Sequence, residues 1–130
     1  MTAIDEAQVG DVMQHGVLTC QSETPVTTAA RMMAEHRVHS IVVSDLDGVS
    51  ERAWGIVTDV DVVRVALEDA AQRTVGAIAG TELVTVAPED PLEAAVRLMV
   101  EHDVTHVLVE SGGRPIAVVS TLDVAELLAS

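Results

Sequence analysis

The sequence predicts an α+β fold made of two intertwined β-α-β-β-α repeats related by a pseudo-two-fold axis. The first observation is an internal duplication, because one constant shift along the chain carries Val9-Gly10 onto Val75-Gly76 and Glu35-His36 onto Glu101-His102. The second is that short β-branched runs alternate with segments of helical periodicity in both copies. A copy of about sixty residues buries little surface alone, so we expect the copies to pack sheet against sheet around a cleft.

The first copy begins with a lead-in turn at Gly10 to Met13 and a strand at Val17 to Cys20. Thr24 is expected to cap the next helix, with Pro25 at its first position, where the missing N–H costs nothing. Apolar residues then follow at helical spacing: Val26, Ala29, Ala30, Met33 and Ala34.

The rest of the first copy predicts two strands and a second helix. The strands are expected at His39 to Val43 and Ala53 to Val57, with a polar turn at Asp45 to Ser50 between them. Thr58 opens the helix and caps it. Its expected apolar positions are Val60, Val63, Val65 and Leu67.

The second copy repeats this order. Its first strand is predicted at Leu83 to Val86, and Asp90, Pro91 and Glu93 predict a helix start with a capping box. The apolar face of that helix comprises Leu92, Ala95, Val96, Met99 and Val100. The elements that follow are a strand at Thr105 to Val109, a turn at Ser111 to Arg114, a strand at Ile116 to Val119 and a helix at Ser120 to Leu128.

A hydroxyl followed three residues later by a carboxylate ends the last strand of each copy. The pairs are Thr58 with Asp61 in the first copy and Ser120 with Asp123 in the second. Such a pair is a capping arrangement in its own right. An ionised carboxylate can also accept both hydroxyls of a ribose, and the N–H groups at a helix start favour a phosphate. Capping alone and ligand binding therefore both remain open.

In order and spacing, the chain resembles a tandem pair of cystathionine-β-synthase (CBS) domains, the unit called a Bateman module. The resemblance rests on the lead-in Val9 to Met13, the helix Pro25 to Met33, the stretch Glu35 to Val38 and the run Gly55 to Asp61. It places one CBS domain at 9–69, a linker at 70–74 and a second CBS domain at 75–129.

This resemblance implies a regulatory module rather than an enzyme. Such modules bind adenine nucleotides (AMP, ADP or ATP) or S-adenosylmethionine, sometimes metal ions, and often form homodimers. It also implies an unidentified protein that the module regulates. The residues implied to contact the nucleotide are Thr58, Asp61, His39, Ser40, Ser120, Asp123, Thr105, His106, Ala29, Ala95, Val38 and Val104.

Several of these assignments compete with a structural role. His39 and His106 suit a phosphate when protonated, but they also suit half-buried positions at a strand start. For Ala29, Ala95, Val38 and Val104, core packing is the default expectation. The rival to the ligand sensor as a whole is a ligand-free dimerisation or interaction module.

The two sites are expected to differ, and a polyphosphate is not favoured at either. Asp103 stands where the first copy has Arg37, and Ala117 replaces the Gly that is usual in the family. The arginines available to neutralise phosphate are Arg31, Arg37, Arg52, Arg64, Arg73, Arg97 and Arg114. An AMP-like or nucleoside-like ligand is therefore expected rather than ATP.

Other chemistry has weaker support in the sequence. The pairs His36 with His39 and His102 with His106 raise a metal-sensing hypothesis, but the first pair crosses a helix-to-strand boundary. Cys20 reads as a small buried hydrophobe rather than a nucleophile. No glycine-rich phosphate loop is present.

Composition limits the partners. The chain of 130 residues has 21 acidic residues against 7 basic ones, for a net charge of −14, which disfavours nucleic acid. No apolar run approaches the roughly 18 residues of a membrane span, and no secretory signal is visible. With one cysteine, no intrachain disulfide can form, so we expect a cytoplasmic protein.

Overall fold

The chain divides into two compact units whose bounds differ from those of the two sequence repeats. In each unit, the short segment that precedes one repeat packs with the other repeat. The computed structural model describes residues 4–44, 53–81 and 83–130. Residues 18–83 form the first-repeat unit, and residues 84–130 together with residues 1–17 form the second-repeat unit. The N-terminal segment therefore belongs to the same compact unit as the second copy of the duplication.

Helices and strands alternate in both units, which confirms the α+β prediction. The strands are β1 Gln14–His15, β2 Thr19–Cys20, β3 Ser40–Val43, β4 Gly55–Thr58, β5 Thr85–Val86, β6 His106–Ser111 and β7 Arg114–Ser120. The helices are α1 Val9–Val12, α2 Val26–His36, α3 Asp59–Arg64, α4 Val75–Ile78, α5 Leu92–His102 and α6 Thr121–Ala129. Short 3₁₀ turns at Ile4–Glu6 and Ala70–Gln72 precede α1 and α4. None of the helices in the described ranges combines the length and the apolar character of a bilayer span.

In the first-repeat unit, the strand order is β2-β3-β4. β2 and β3 are parallel, so α2 is the connection that a parallel pair requires, whereas β3 and β4 are antiparallel. The buried core takes side chains from α2, from β3 and β4, and from the start of α4, namely Ala29, Met33, Ile41, Val43, Val57 and Val75. The segment that follows the linker thus supplies part of the core.

In the second-repeat unit, the strand order is β1-β7-β6-β5. The core repeats the pattern of the other unit, with Ala7 and Val9 supplied by the N-terminal segment. Ala117, which stands where the first copy has Gly55, is completely buried in this core beside Val119. A methyl group is therefore accommodated at this position of the second copy.

Backbone hydrogen bonds fasten the linker and the start of α4 to the start of α2. The Val75 N–H donates to the Thr24 carbonyl at 2.8 Å, and the Val26 N–H donates to the Arg73 carbonyl at 2.9 Å. Each bond thus gives an acceptor to the first N–H of a helix, α4 or α2, which would otherwise need a side-chain cap or water.

The N-terminal segment fastens the start of α5 in the same way. The Val9 N–H donates to the Asp90 carbonyl and the Leu92 N–H donates to the Ala7 carbonyl, both at 2.9 Å. The duplication therefore preserves the docking of a lead-in segment as well as the secondary structure.

The predicted caps of α2 and α5 are wrong. Pro25 and Pro91 are the N-cap residues rather than the first helical residues, and neither helix has a side-chain cap within the described part of the chain. The reason is nonlocal, because Pro25 pairs with Thr74 in an antiparallel bridge that holds its backbone extended.

The predicted capping box of α5 is replaced by two other contacts. The Asp90 carboxylate accepts the Ala87 N–H at 2.8 Å and so stabilises the turn before the helix. Glu93 accepts from the guanidinium of Arg97 one turn further on. This hydrogen bond and the charge of Glu93 raise the pKa of the exposed Arg97.

The predicted apolar face of the helix after Thr58 is also wrong. α3 ends at Arg64, and Val60, Val63 and Leu67 are exposed, while Val65 alone among the four predicted positions is buried. The helix is too short to lay an amphipathic face over the sheet, so two of its valines are exposed to solvent within the described chain.

Smaller differences concern element bounds. The lead-in predicted as a turn at Gly10 to Met13 is the short helix α1, and the first strand of each copy has two residues. The predicted turn at Ser111 to Arg114 is confirmed as a two-residue hairpin with Gly112 and Gly113 at positive φ. The predicted turn at Asp45 to Ser50 lies outside the described residues.

The close approach at Gly76 gives a stability prediction. A Cβ at Gly76 would lie 2.9 Å from the Ser22 Cβ and 3.0 Å from its carbonyl oxygen, so Gly76→Ala should lower the free energy of unfolding by about 1–3 kcal/mol. Gly80→Ala is the control, because a Cβ there meets only the Ile56 oxygen at 3.8 Å. Urea unfolding of both variants measures the difference, and equal midpoints would contradict the docking described above.

Candidate functional site

The first hydroxyl–carboxylate pair forms a complete capping box between β4 and α3. The Thr58 N–H and its hydroxyl both donate to Asp61 Oδ2, at 2.9 and 3.1 Å. The Asp61 N–H donates back to Thr58 Oγ1 at 3.3 Å. The predicted cap is thus confirmed, and Asp61 Oδ2 accepts both of its hydrogen bonds from Thr58.

The other carboxylate oxygen of Asp61, Oδ1, takes no part in the cap. Within residues 4–44, 53–81 and 83–130, no donor contacts Asp61 Oδ1. Asp61 is half-buried rather than fully exposed. A half-buried carboxylate with one open acceptor oxygen is suited to receive hydroxyl donors from a ligand.

Strand pairing brings the predicted histidine–serine pair to this box. Ser40 lies opposite Thr58 in the β3–β4 ladder, and His39 directly precedes it. The Nδ1 of His39 lies 2.9 Å from Asp59 Oδ2, with the two side chains 65% and 50% exposed. His39, Ser40, Thr58 and Asp61 are therefore neighbours, and Asp59 lies beside them.

The N–H groups at the start of α3 already have acceptors. The Asp59 N–H donates to the His39 carbonyl at 3.0 Å, and the Val60 N–H donates to Asp59 Oδ1 at 2.9 Å. The Asp61 N–H donates to Thr58. The predicted phosphate-binding helix start is therefore occupied by the chain's own acceptors, and Asp59 adds a negative charge there.

The second hydroxyl–carboxylate pair forms the same box between β7 and α6. The Ser120 N–H and hydroxyl donate to Asp123 Oδ2 at 2.8 and 3.1 Å, and the Asp123 N–H donates to Ser120 Oγ at 3.2 Å. Each of these distances closely matches its counterpart in the first box. The capping role is therefore equivalent in both copies.

The second carboxylate differs in its remaining oxygen. The Gln14 Nε2 donates to Asp123 Oδ1 at 2.9 Å, across a sequence separation of 109 residues. Asp123 is only 7% exposed. Both oxygens of Asp123 thus have protein donors, whereas no described residue donates to Asp61 Oδ1.

The residues around the second box also differ from those of the first. Thr105 and Thr121 stand where the first copy has His39 and Asp59, so the equivalent ion pair cannot form there. The Nδ1 of His106 lies 2.9 Å from Thr105 Oγ1. Thr121 also replaces the aspartate whose carboxylate accepts the equivalent Val60 N–H.

The four apolar candidates belong to the cores. Ala29 and Ala95 are completely buried in the cores of the first-repeat and second-repeat units. Val38 and Val104 are partly buried and pack against the same cores. Packing accounts for all four side chains without a ligand.

The predicted charge difference between the copies has a backbone counterpart. Arg37 and Asp103 are the C-cap residues of α2 and α5, and both have a left-handed backbone conformation with φ of 53°. The opposite charges therefore stand at equivalent backbone positions. Among the described residues, Arg73 lies 3.5 Å from the Glu68 carboxylate, and Arg97 is paired with Glu93. Fewer cations than the sequence suggests are therefore available for phosphate.

The metal hypothesis depends on pairs of histidines. In the part of the chain that the structure describes, no group of three or more His, Cys, Asp or Glu side chains converges as a metal ion would require. His39 is paired with Asp59, and His106 with Thr105.

Gln14 and Asp59 also contact the candidate residues, and neither was predicted to do so from the sequence. For Asp59 the sequence does give a signal, because an acidic residue directly after Thr58 falls in the first turn of the predicted helix. Gln14 lies in a two-residue strand whose pairing with β7 has no local signature. Only the alignment of the two lead-in segments, which sets Gln14 against Gly80, could have marked the position as variable between copies.

Comparisons with known proteins identify both repeats. The model of the CBS domain family matches residues 9–68 and 75–130. Comparison with curated protein sequences gives no match.

Solved structures share the fold over nearly the whole chain. The crystal structure of an uncharacterized conserved protein from Pyrococcus horikoshii is 26% identical, with a TM-score of 0.84, covering 99% of this chain and 96% of that one. A CBS domain pair in complex with 5′-methylthioadenosine and S-adenosyl-L-methionine is 19% identical, with a TM-score of 0.82, covering 94% and 99%.

A third structure belongs to a larger chain. The hexameric CBS-CP12 protein from bloom-forming cyanobacteria is 24% identical, with a TM-score of 0.83, covering 92% of this chain and 69% of that one. At these identities the last two similarities establish the fold.

The unequal burial of the two carboxylates gives a second stability prediction. Asp61→Ala should cost about 1 kcal/mol of unfolding free energy through the lost cap, and Asp123→Ala about 2–3 kcal/mol because the bond from Gln14 is lost as well. Glu126→Ala, an exposed change on α6, is the control. Urea unfolding compares the three, and equal losses for the two aspartates would contradict the hydrogen bonding described.

Proposed function

Because the chain belongs to the CBS domain family, we propose that it is a regulatory module that senses an adenosine-containing ligand at the box formed by Thr58 and Asp61. One observation carries the proposal: Asp61 is held by its cap with one acceptor oxygen open, beside Ser40 and Thr58. A ribose supplies two neighbouring hydroxyl donors, which suit such an oxygen.

The ligands of a related structure support this class of ligand. The CBS domain pair with 5′-methylthioadenosine and S-adenosyl-L-methionine has the same fold at a TM-score of 0.82. Both molecules contain adenosine, and neither carries a phosphate. The shared feature is the nucleoside, which is the part that Asp61 would recognise.

The charges near Asp61 favour a ligand with at most one phosphate. Asp59 covers the Val60 N–H and places a carboxylate at the start of α3. The net charge of −14 adds a general repulsion of polyanions. His39 lies 2.9 Å from the Asp59 carboxylate. When His39 is protonated, its positive charge is therefore partly neutralised by Asp59 and attracts a phosphate less strongly. An AMP-like or uncharged adenosine derivative is therefore preferred to ATP.

The output of such a module is a shift in conformation or association rather than a reaction. A ligand changes the protein's populations only by binding one state better than another. The expected consequence is altered contact with a second copy or with a regulated protein.

Ligand binding is tested by thermal unfolding with AMP, ATP and 5′-methylthioadenosine. At about 100 times Kd the preferred ligand should raise Tm by about 5–10 °C. Asp61→Asn keeps an acceptor for the cap but replaces the open oxygen by a donor, so affinity should fall at least about tenfold. Glu126→Gln removes the same charge on α6 and should leave affinity unchanged. The proposal fails if no adenosine compound stabilises the wild-type protein.

The role of Asp59 is tested by Asp59→Asn, which removes its charge and keeps an acceptor for the Val60 N–H. The affinity for AMP should rise about twofold to tenfold, while that for 5′-methylthioadenosine should stay the same. Calorimetric titration measures both, and the gain should shrink at high salt. An equal change for both ligands would mean that Asp59 does not discriminate by charge.

A second candidate function is association with another copy. Val60 and Val63 on α3 and Leu67 just after it are 49%, 69% and 99% exposed, and exposed apolar side chains that cluster often mark an interface. The hexameric CBS-CP12 protein is an assembly built from a chain of this fold. We expect a homodimer that uses α3.

Dimerisation is tested by sedimentation velocity. Val63→Arg should convert the dimer to a monomer, because a charge replaces an apolar contact. Gln72→Arg adds the same charge at an already polar, exposed position and should not. A wild-type protein that sediments as a monomer would exclude this arrangement.

A further inference from the structure

One backbone position is equivalent in the two units, and its side chain differs between them. Gln14 pairs with Val118 in an antiparallel ladder, and Gly80 pairs with Ile56 in an antiparallel bridge. The shift that relates the two lead-in segments carries Gln14 onto Gly80, and the shift that carries Thr58 onto Ser120 also carries Ile56 onto Val118. The two pairings are therefore equivalent in the duplication.

The two units differ both in the side chain at this position and in the hydrogen bonding of the carboxylate. In the second-repeat unit the Gln14 amide reaches Asp123 Oδ1 at 2.9 Å. In the first-repeat unit Gly80 has no side chain, and Asp61 Oδ1 meets no donor from the described residues. The presence of glutamine in one copy and glycine in the other thus accompanies the difference in hydrogen bonding at the two carboxylates.

The Gln14 amide occupies the acceptor that a ribose would need. Asp123 Oδ2 already accepts two donors from Ser120. Its Oδ1 is the remaining oxygen, and the residue is 7% exposed with Gln14 in place. A ligand hydroxyl would have to displace the amide, and its new hydrogen bond would only replace the one that was lost.

We propose that Gln14 is a built-in occupant of the second site, so that each chain takes adenosine-containing ligand at Asp61 and not at Asp123. This inference rests on the proposed function, which it sharpens by assigning the ligand to one of two boxes whose capping hydrogen bonds are equivalent. Gln14 is a specificity-determining residue in this sense. The second box then serves as structure, joining β1, β7 and α6.

The geometry allows the difference to be exchanged between the copies. Gly80 has φ outside the left-handed region, and a Cβ there would lie 3.8 Å from the Ile56 oxygen as its nearest neighbour. Neither the backbone conformation nor the space at the Cβ therefore opposes a side chain at position 80. Gln14 is itself exposed, so shortening its side chain opens no core cavity.

The test is calorimetric titration of the full chain with 5′-methylthioadenosine and, separately, with AMP. The wild-type protein should bind about one ligand per chain, and Gln14→Ala should bind about two. Gly80→Gln should weaken binding at least about tenfold by placing an amide on Asp61, whereas Gly80→Ala, which has no amide, should bind as the wild type does.

The outcomes separate this inference from the proposed function. Absence of binding by every variant overturns the proposed function, and with it the inference. Two ligands per wild-type chain, or a Gln14→Ala protein that still binds one, overturns the inference and leaves the sensor proposal standing. Unchanged binding by Gly80→Gln would also overturn it, and this variant leaves the Gln14–Asp123 hydrogen bond intact.

Discussion

The carboxylate that closes each turn from strand to helix is the contact on which both sites depend. It accepts a backbone N–H and a hydroxyl at the end of β4 or β7, and so fixes the direction in which its own second oxygen points. An acceptor held in this way loses little conformational entropy when a partner binds. The same interaction therefore stabilises the fold and presets the site. What differs between the carboxylates is which donor reaches the second oxygen.

The local parts of this arrangement could be predicted from the sequence. Thr58 with Asp61 and Ser120 with Asp123 are close in sequence, so their spacing alone indicates the cap. The duplication predicted the order of elements in both copies. The caps proposed for Thr24 and Asp90 were wrong because the helix entries are held by chain far away in sequence, at Arg73 and Ala7.

The contact that sets the second carboxylate apart from the first is also nonlocal. Gln14 lies 109 residues from Asp123, in a strand of two residues that no periodicity reveals. The exposure of Val60 and Val63 could not be foreseen either, because it follows from the short length of α3. Sequence spacing thus predicted the parts that each copy has in common. The differences in hydrogen bonding between copies required the pairing of distant segments.

The assignment of residues 1–17 to the same unit as residues 84–130 has a consequence for the order of folding. The first-repeat unit is continuous, so all of its chain has been synthesised once residue 83 has emerged. The N-terminal segment must wait for the last strand and helix, and closing that long loop costs entropy before any contact is gained. During translation, Ala7 and Val9 are therefore apolar residues without their final core. Until residues 84–130 have been made, this segment is thus open to misassociation or to a chaperone.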